Sequence, residues 1–224
     1  MGAEGARRVS DPVPAELRDA SARFTQPDAL RFIAGARTPQ GTRAAAVLIL
    51  LSGEPANYEV VLVEKRADLR SHAGQLAFPG GSMEPTDPDP VAAALREADE
   101  EVGVVPASVD VLGMLPAAHI PRSGFDVTSV VGWWRDPVRL SPVDVEEIQA
   151  VHQVPVARLL DPVNRSTWVH QRGFTGPAFT LDDLYVWGFT AYLLDGLFEL
   201  LGWTLPWDAS RVTRIPARFL SERL

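Results

Sequence analysis

Three carboxylates, Glu97, Glu100 and Glu101, crowd into one short stretch of this chain. On an α-helix each residue turns by about 100°, so all three fall on one side. Like charges this close repel one another, and a fold gains nothing from that alone. A hard divalent cation would offset the repulsion, because Mg²⁺ takes oxygen ligands and keeps waters and substrate phosphates in its shell. A cation held there can serve as a Lewis acid and carry an activated water. The plain alternative is an acidic, solvated helix face.

The spacing matters only if the helix exists, and its ends are marked. Asp89 is a good N-cap, and Pro90 suits the first helical position. Gly103 stands where a left-handed C-terminal cap belongs. Val91, Leu95, Ala98 and Val102 recur at helical spacing and form an apolar stripe. Gly80 and Gly81 make a turn just upstream. Without side chains they allow close approach of substrate, and the Gly80 carbonyl can add an oxygen ligand.

Gly80-Gly81, a loop, and then Arg96-Glu97-Ala98-Asp99-Glu100-Glu101-Val102-Gly103 resemble the signature of the Nudix hydrolases. That signature is a glycine, a loop, then Arg-Glu-x-x-Glu-Glu-x-Gly on a helix. Here one more residue than in the commonest form separates Gly81 from Arg96, so the loop acid is Glu84 or Asp87. The segment from Lys65 to Gly81, KRADLRSHAGQLAFPGG, is similar to the extended motif of the coenzyme A pyrophosphatase branch. Ser123–Val127, Val154–Val156 with Leu159–Pro162, and Val186–Ala191 match it as well. The resemblance spans roughly residues 43–203. Arg122 and Ser129 depart from it, at positions where the branch has a small hydroxyl residue and proline.

The resemblance implies Mg²⁺ or Mn²⁺ held by Glu97, Glu100 and Glu101. Arg96 would brace a neighbouring glutamate, since its fork fits a carboxylate bidentately. The base is Glu147, in a distal acidic segment Asp144–Ile148, with Glu146 and Glu97 as alternatives. Arg66 and Arg70 are the candidates for substrate phosphates, whose geometry arginine reads well. His72 is expected to be a hydrogen-bonded structural residue. The implied substrate is coenzyme A or an acyl derivative, cleaved to 3′,5′-ADP and a 4′-phosphopantetheine species. ADP-ribose or (d)NTPs remain as alternative substrates. So does a non-catalytic module that senses a nucleotide.

Around the motif, apolar runs at 44–51 and 58–64 read as a β-hairpin or adjacent strands, and 75–78 as a short strand before the glycine turn. Further strands are expected at 109–115, 125–134, 148–154, 166–172 and 178–181. Helices are expected at 89–102, 156–160 and 187–201, with short ones around 14–24 and 28–34. The fold class is α/β, a Nudix-like α/β/α sandwich with a mixed central sheet. We expect residues 1–40 as an N-terminal extension packed on the core, 41–205 as the hydrolase domain and 206–224 as a C-terminal tail.

At 224 residues, 46% hydrophobic and 22% charged, the chain has the make-up of one globular domain. It has no cysteine, which excludes disulfides, zinc–thiolate sites and a cysteine nucleophile. A net charge of −8 argues against nucleic-acid binding, which needs a basic face. No apolar run is long enough to span a membrane, and the first residues do not resemble a signal peptide. The expected location is cytoplasmic and the expected partner a CoA-like nucleotide, with a homodimer left open.

Overall fold

The first apolar run is a strand buried on both faces. In β1 (Ala44–Glu54) Leu48 and Leu50 join one core cluster, while Ile49 and Leu51 join another. A strand buried on both faces reads as a continuous apolar run for this reason. The structure is a computed structural model that describes residues 13–26, 29, 38–41, 43–69, 72–121 and 123–219. The helix expected at 28–34, apart from residue 29, and also Arg70 and Arg122, lie outside the described residues.

A tight turn at Pro55-Ala56 returns the chain as β2 (Asn57–Lys65), antiparallel to β1. The two strands pair only near that turn, from Leu51↔Val60 to Glu54↔Asn57. Beyond it, β3 (Leu76–Ala77) pairs with β2, and β4 (Gly80–Ser82) pairs with β1 at Ala45–Val47. The glycine turn is thus wedged into the opening between two central strands. β5 (Val109–Ile120) and β6 (Phe125–Trp134) form an antiparallel pair, and β6 runs parallel to β1. β7 (Ile148–Pro155) lies antiparallel to the other edge of β2. One parallel pairing among antiparallel ones makes this seven-stranded sheet mixed, as expected.

α1 (Ala15–Ser21) and α2 (Pro90–Val102) flank the sheet on opposite faces. α2 buries Ala93, Ala94, Ala98 and Val102 against Leu48, Leu50, Val61 and Val63, while Val91 and Leu95 are half-buried at its margin. The other face holds α1 and the apolar α4 (Gly188–Leu201), while α3 (Val156–Leu160) follows β7 directly.

A second sheet was not anticipated as a separate layer. It comprises β8 (Arg165–Val169), β9 (Thr175–Leu181), β10 (Leu184–Val186) and β11 (Val212–Arg214), in the order β10-β9-β8-β11. Of the segment 206–224 expected as a C-terminal tail, the described residues 206–219 supply β11, which pairs in parallel with β8. They also supply Ile215 and Phe219, both buried with Trp168 and Tyr185.

Candidate active site

The ends of α2 form as their residues dictate. The Asp89 side chain accepts from the Ala92 N–H at 2.8 Å, and Gly103 adopts the left-handed cap at φ 73°. The Gly103 N–H closes the helix on the Asp99 carbonyl at 2.8 Å.

Ahead of the helix, Gly80 has φ 152°, a conformation that side chains disfavour. A Cβ there would press on the Ala46 carbonyl and lie 2.6 Å from the Val47 Cα. A Cβ on Gly81 would stand 2.6–2.7 Å from the Glu97 carboxylate. The two glycines thus let β4 lie against β1 and let Glu97 rest on bare backbone.

Arg96 organises the outer side of this helix. Its guanidinium donates to both oxygens of Asp87 at 3.1 and 3.0 Å, to Glu97 at 3.1 Å, to Glu100 at 2.8 Å and to the Ser82 carbonyl at 3.2 Å. This is the bracing role expected of it, extended to two glutamates. The Asp87 carboxyl is held below its usual range by the Arg96 fork and the Glu84 N–H. Asp87 is therefore engaged with the scaffold, and Glu84 is left exposed.

Lys65 plays the matching part on the inner side, which sequence reasoning missed. Its ammonium lies 2.6 Å from Glu101 Oε1 and 2.8 Å from Glu147 Oε2. Glu101 is only 3% exposed, and its other oxygen accepts from the Gly80 N–H at 3.1 Å. Burial pushes the Glu101 carboxyl upward, Lys65 and Gly80 pull it back, and Glu97 adds to the rise. Burial also raises Glu97, against the pull of Arg96. For Lys65, burial works to lower the value, but the two carboxylates prevail and hold it above its ordinary one. A signal was available: Val61, Val63 and Lys65 alternate along β2, which sets the lysine on the face that meets α2.

Glu147 thus reaches the carboxylate helix through a shared lysine. Its loop is tied down by backbone as well, since the Glu101 carbonyl accepts from Val143 and Asp144 at 2.9 and 3.3 Å. The Arg66 N–H donates to the Glu147 carbonyl at 2.9 Å. The Arg66 fork grips Asp68 at 2.9 and 2.7 Å and reaches the Val145 carbonyl at 3.3 Å, so this candidate phosphate reader is engaged with its own chain. His72 meets the Gln75 side chain at 3.2 Å, as a structural histidine should.

Among the described residues, no three acidic or histidine side chains are arranged as a metal cage. Glu100 turns to Arg96 and Glu101 to Lys65, so cations of the chain itself hold the carboxylates expected as ligands. The donor set still suits a hard cation. It is all carboxylate oxygen on adjoining turns of one helix, beside a backbone cradle that a Cβ would fill.

With the fold and this geometry in view, the family follows. Residues 41–173 match the NUDIX domain, and the chain belongs to that family. It is a Nudix hydrolase, similar to proteins called "Uncharacterized Nudix hydrolase NudL". The one from Shigella flexneri is 37% identical over 177 residues, covering 75% of this chain and 88% of its own. The one from Escherichia coli K12 is 37% identical over 169 residues, covering 71% and 83%. Among solved structures, the Nudix hydrolase RenU of M. smegmatis superposes with a TM-score of 0.52 at 18% identity, covering 78% of this chain and 99% of its own. That likeness concerns the fold.

Proposed function

We propose that this protein hydrolyses the pyrophosphate bond of coenzyme A or an acyl derivative, releasing 3′,5′-ADP and a 4′-phosphopantetheine species. The observation that carries the reading is the junction of segment 65–81 with α2. That segment begins at Lys65, which grips Glu101, and ends at Gly81, which cradles Glu97. The stretch that resembles the coenzyme A pyrophosphatase motif therefore borders the carboxylates on both sides.

Glu97, Glu100 and Glu101, with the Gly80 carbonyl, would hold Mg²⁺ or Mn²⁺. Such a cation supplies Lewis acidity and lowers the pKa of a bound water. Glu147 is the proposed base, because it shares Lys65 with the buried Glu101 while its carboxylate stays half exposed and open to water. Glu97 is the second choice, raised by burial toward the range where a carboxylate can take a proton. Arg96 fixes the outer two glutamates. Arg66 and Arg70 are proposed for substrate phosphates, which for Arg66 requires its fork to turn from Asp68.

ADP-ribose or a (d)NTP is the competing substrate class, because loops outside the motif read the substrate. The test compares kcat/KM for CoA, acetyl-CoA, ADP-ribose, NADH and dNTPs with Mg²⁺ or Mn²⁺. CoA or acetyl-CoA should be turned over fastest. Faster turnover of ADP-ribose or a dNTP would reject the CoA assignment. Tight nucleotide binding with no turnover under any metal would reject catalysis.

A further inference from the structure

Two cations of the chain neutralise the acidic helix, and they are held differently. Arg96 is fixed by five contacts, three of them to Asp87 and the Ser82 carbonyl, away from the glutamates. Among the described residues, the Lys65 ammonium has two side-chain partners, Glu101 and Glu147. It arrives from the last residue of β2, where the β2–β7 register shifts between Glu64 and Lys65. Its side chain is 14% exposed, and that of Glu101 is 3%. Without a positive partner, a carboxylate buried this deeply would be costly to ionise.

We propose that Lys65 is the resident counter-ion of Glu101 and is exchanged for the divalent cation when metal binds. Lys65 then sets the metal affinity of the site. In the metal-free protein its ammonium bridges Glu101 and Glu147 and so ties the buried carboxylate to the loop before β7. A divalent ion drawn to Glu101 meets a like charge and takes over the carboxylate as the ammonium withdraws toward Glu147. Lys65 is a positioning residue, acting through the two glutamates. This inference rests on the reading of Glu101 as a metal ligand.

A purely structural lysine and an exchanged counter-ion differ in the sign of one effect. Loss of a structural lysine loosens the site and weakens metal binding. Loss of an exchanged cation destabilises the metal-free protein yet tightens metal binding. The experiment measures Mn²⁺ affinity by electron paramagnetic resonance of the free ion, together with thermal unfolding in EDTA. The proteins are the parent, Lys65→Gln, Lys65→Arg and Glu101→Gln.

Lys65→Gln should melt lower in EDTA and bind Mn²⁺ about tenfold more tightly, the scale of one like charge in a partly screened site. Lys65→Arg keeps the charge and should bind Mn²⁺ much as the parent does. If Lys65→Gln does not fold in EDTA, saturating Mn²⁺ should fold it, because binding energy then becomes folding energy. Equal or weaker Mn²⁺ binding by a Lys65→Gln variant that folds in EDTA, or failure to fold at saturating Mn²⁺, overturns the proposal. A parent that does not bind Mn²⁺, or a Glu101→Gln variant that binds it as well as the parent, overturns the underlying metal-site reading, and the two failures are distinguishable.

Discussion

Replacing Glu101 by glutamine tests whether its two donors outweigh the repulsion among the carboxylates. Repulsion alone would make the change stabilising. The local geometry says otherwise. One carboxylate oxygen receives the Lys65 ammonium at 2.6 Å, and the other receives the Gly80 N–H at 3.1 Å. An amide offers one acceptor oxygen and an NH₂ that can only donate. In either orientation a donor therefore faces a donor in a buried place. Stranding one such group costs about 1–3 kcal/mol. Burial has already pushed the Glu101 carboxyl upward, so removing its charge returns part of that cost. A net loss of ~1–2 kcal/mol remains, which lowers Tm by roughly 2–8 °C in a chain of this size. Thermal unfolding in EDTA at neutral pH measures it. Turnover should all but disappear, because an anionic ligand is lost. An unchanged or raised Tm would refute the reasoning and show that repulsion dominates.

Glu147→Gln should cut kcat by about 10²–10⁴-fold, the worth of positioned proton transfer, while Glu146→Gln does little; equal small effects would move the base to Glu97. Gly80→Ala should fail to fold or lose several degrees of Tm, since its Cβ would meet backbone at Val47 in a conformation alanine disfavours, and a normal melt would show that β4 can shift away. If Arg66 reads the 3′-phosphate, Arg66→Ala should raise KM for CoA more than for 3′-dephospho-CoA, and an equal rise would assign it to the pyrophosphate or the scaffold. The pH dependence in EDTA follows from two raised values. Glu101 contributes stability below its unfolded pKa and loses it as pH rises through the higher folded one. Lys65 contributes fully below its ordinary 10.5 and loses that as pH rises through its higher folded value. Melts should therefore fall more steeply above about pH 10.5 in the parent than in Lys65→Gln, and parallel curves would contradict the pairing.

Local signals carried most of the fold. Asp89, Pro90 and Gly103 bound α2 because caps are decided by adjacent residues, and the helix forms between them. The apolar, β-branched runs at 44–51 and 58–64, split by a turn, exposed the hairpin. What stayed hidden depends on partners distant in sequence. β4 is Gly-Gly-Ser, a poor strand by propensity, and it is a strand because the opening between β1 and β2 leaves hydrogen bonds to satisfy. β11 is three residues long and forms by pairing with β8. Of the expected stripe Ala98 and Val102 are buried, but Val91 and Leu95 are only half-buried while Ala93 and Ala94 are fully so, since small side chains let the helix settle closely on the sheet. At the site, the carboxylates and Arg96 were legible from spacing. Lys65 was not, because its partners arrive from α2 and from the loop before β7, one of them 82 residues away.

The most direct test of the whole account is the product mixture from CoA, resolved by chromatography after incubation with the protein and Mn²⁺. Equal amounts of 3′,5′-ADP and 4′-phosphopantetheine should form with Mn²⁺ and be absent in EDTA or with Glu100→Gln. Intact CoA with Mn²⁺ present, or cleavage at a bond other than the pyrophosphate, would contradict it.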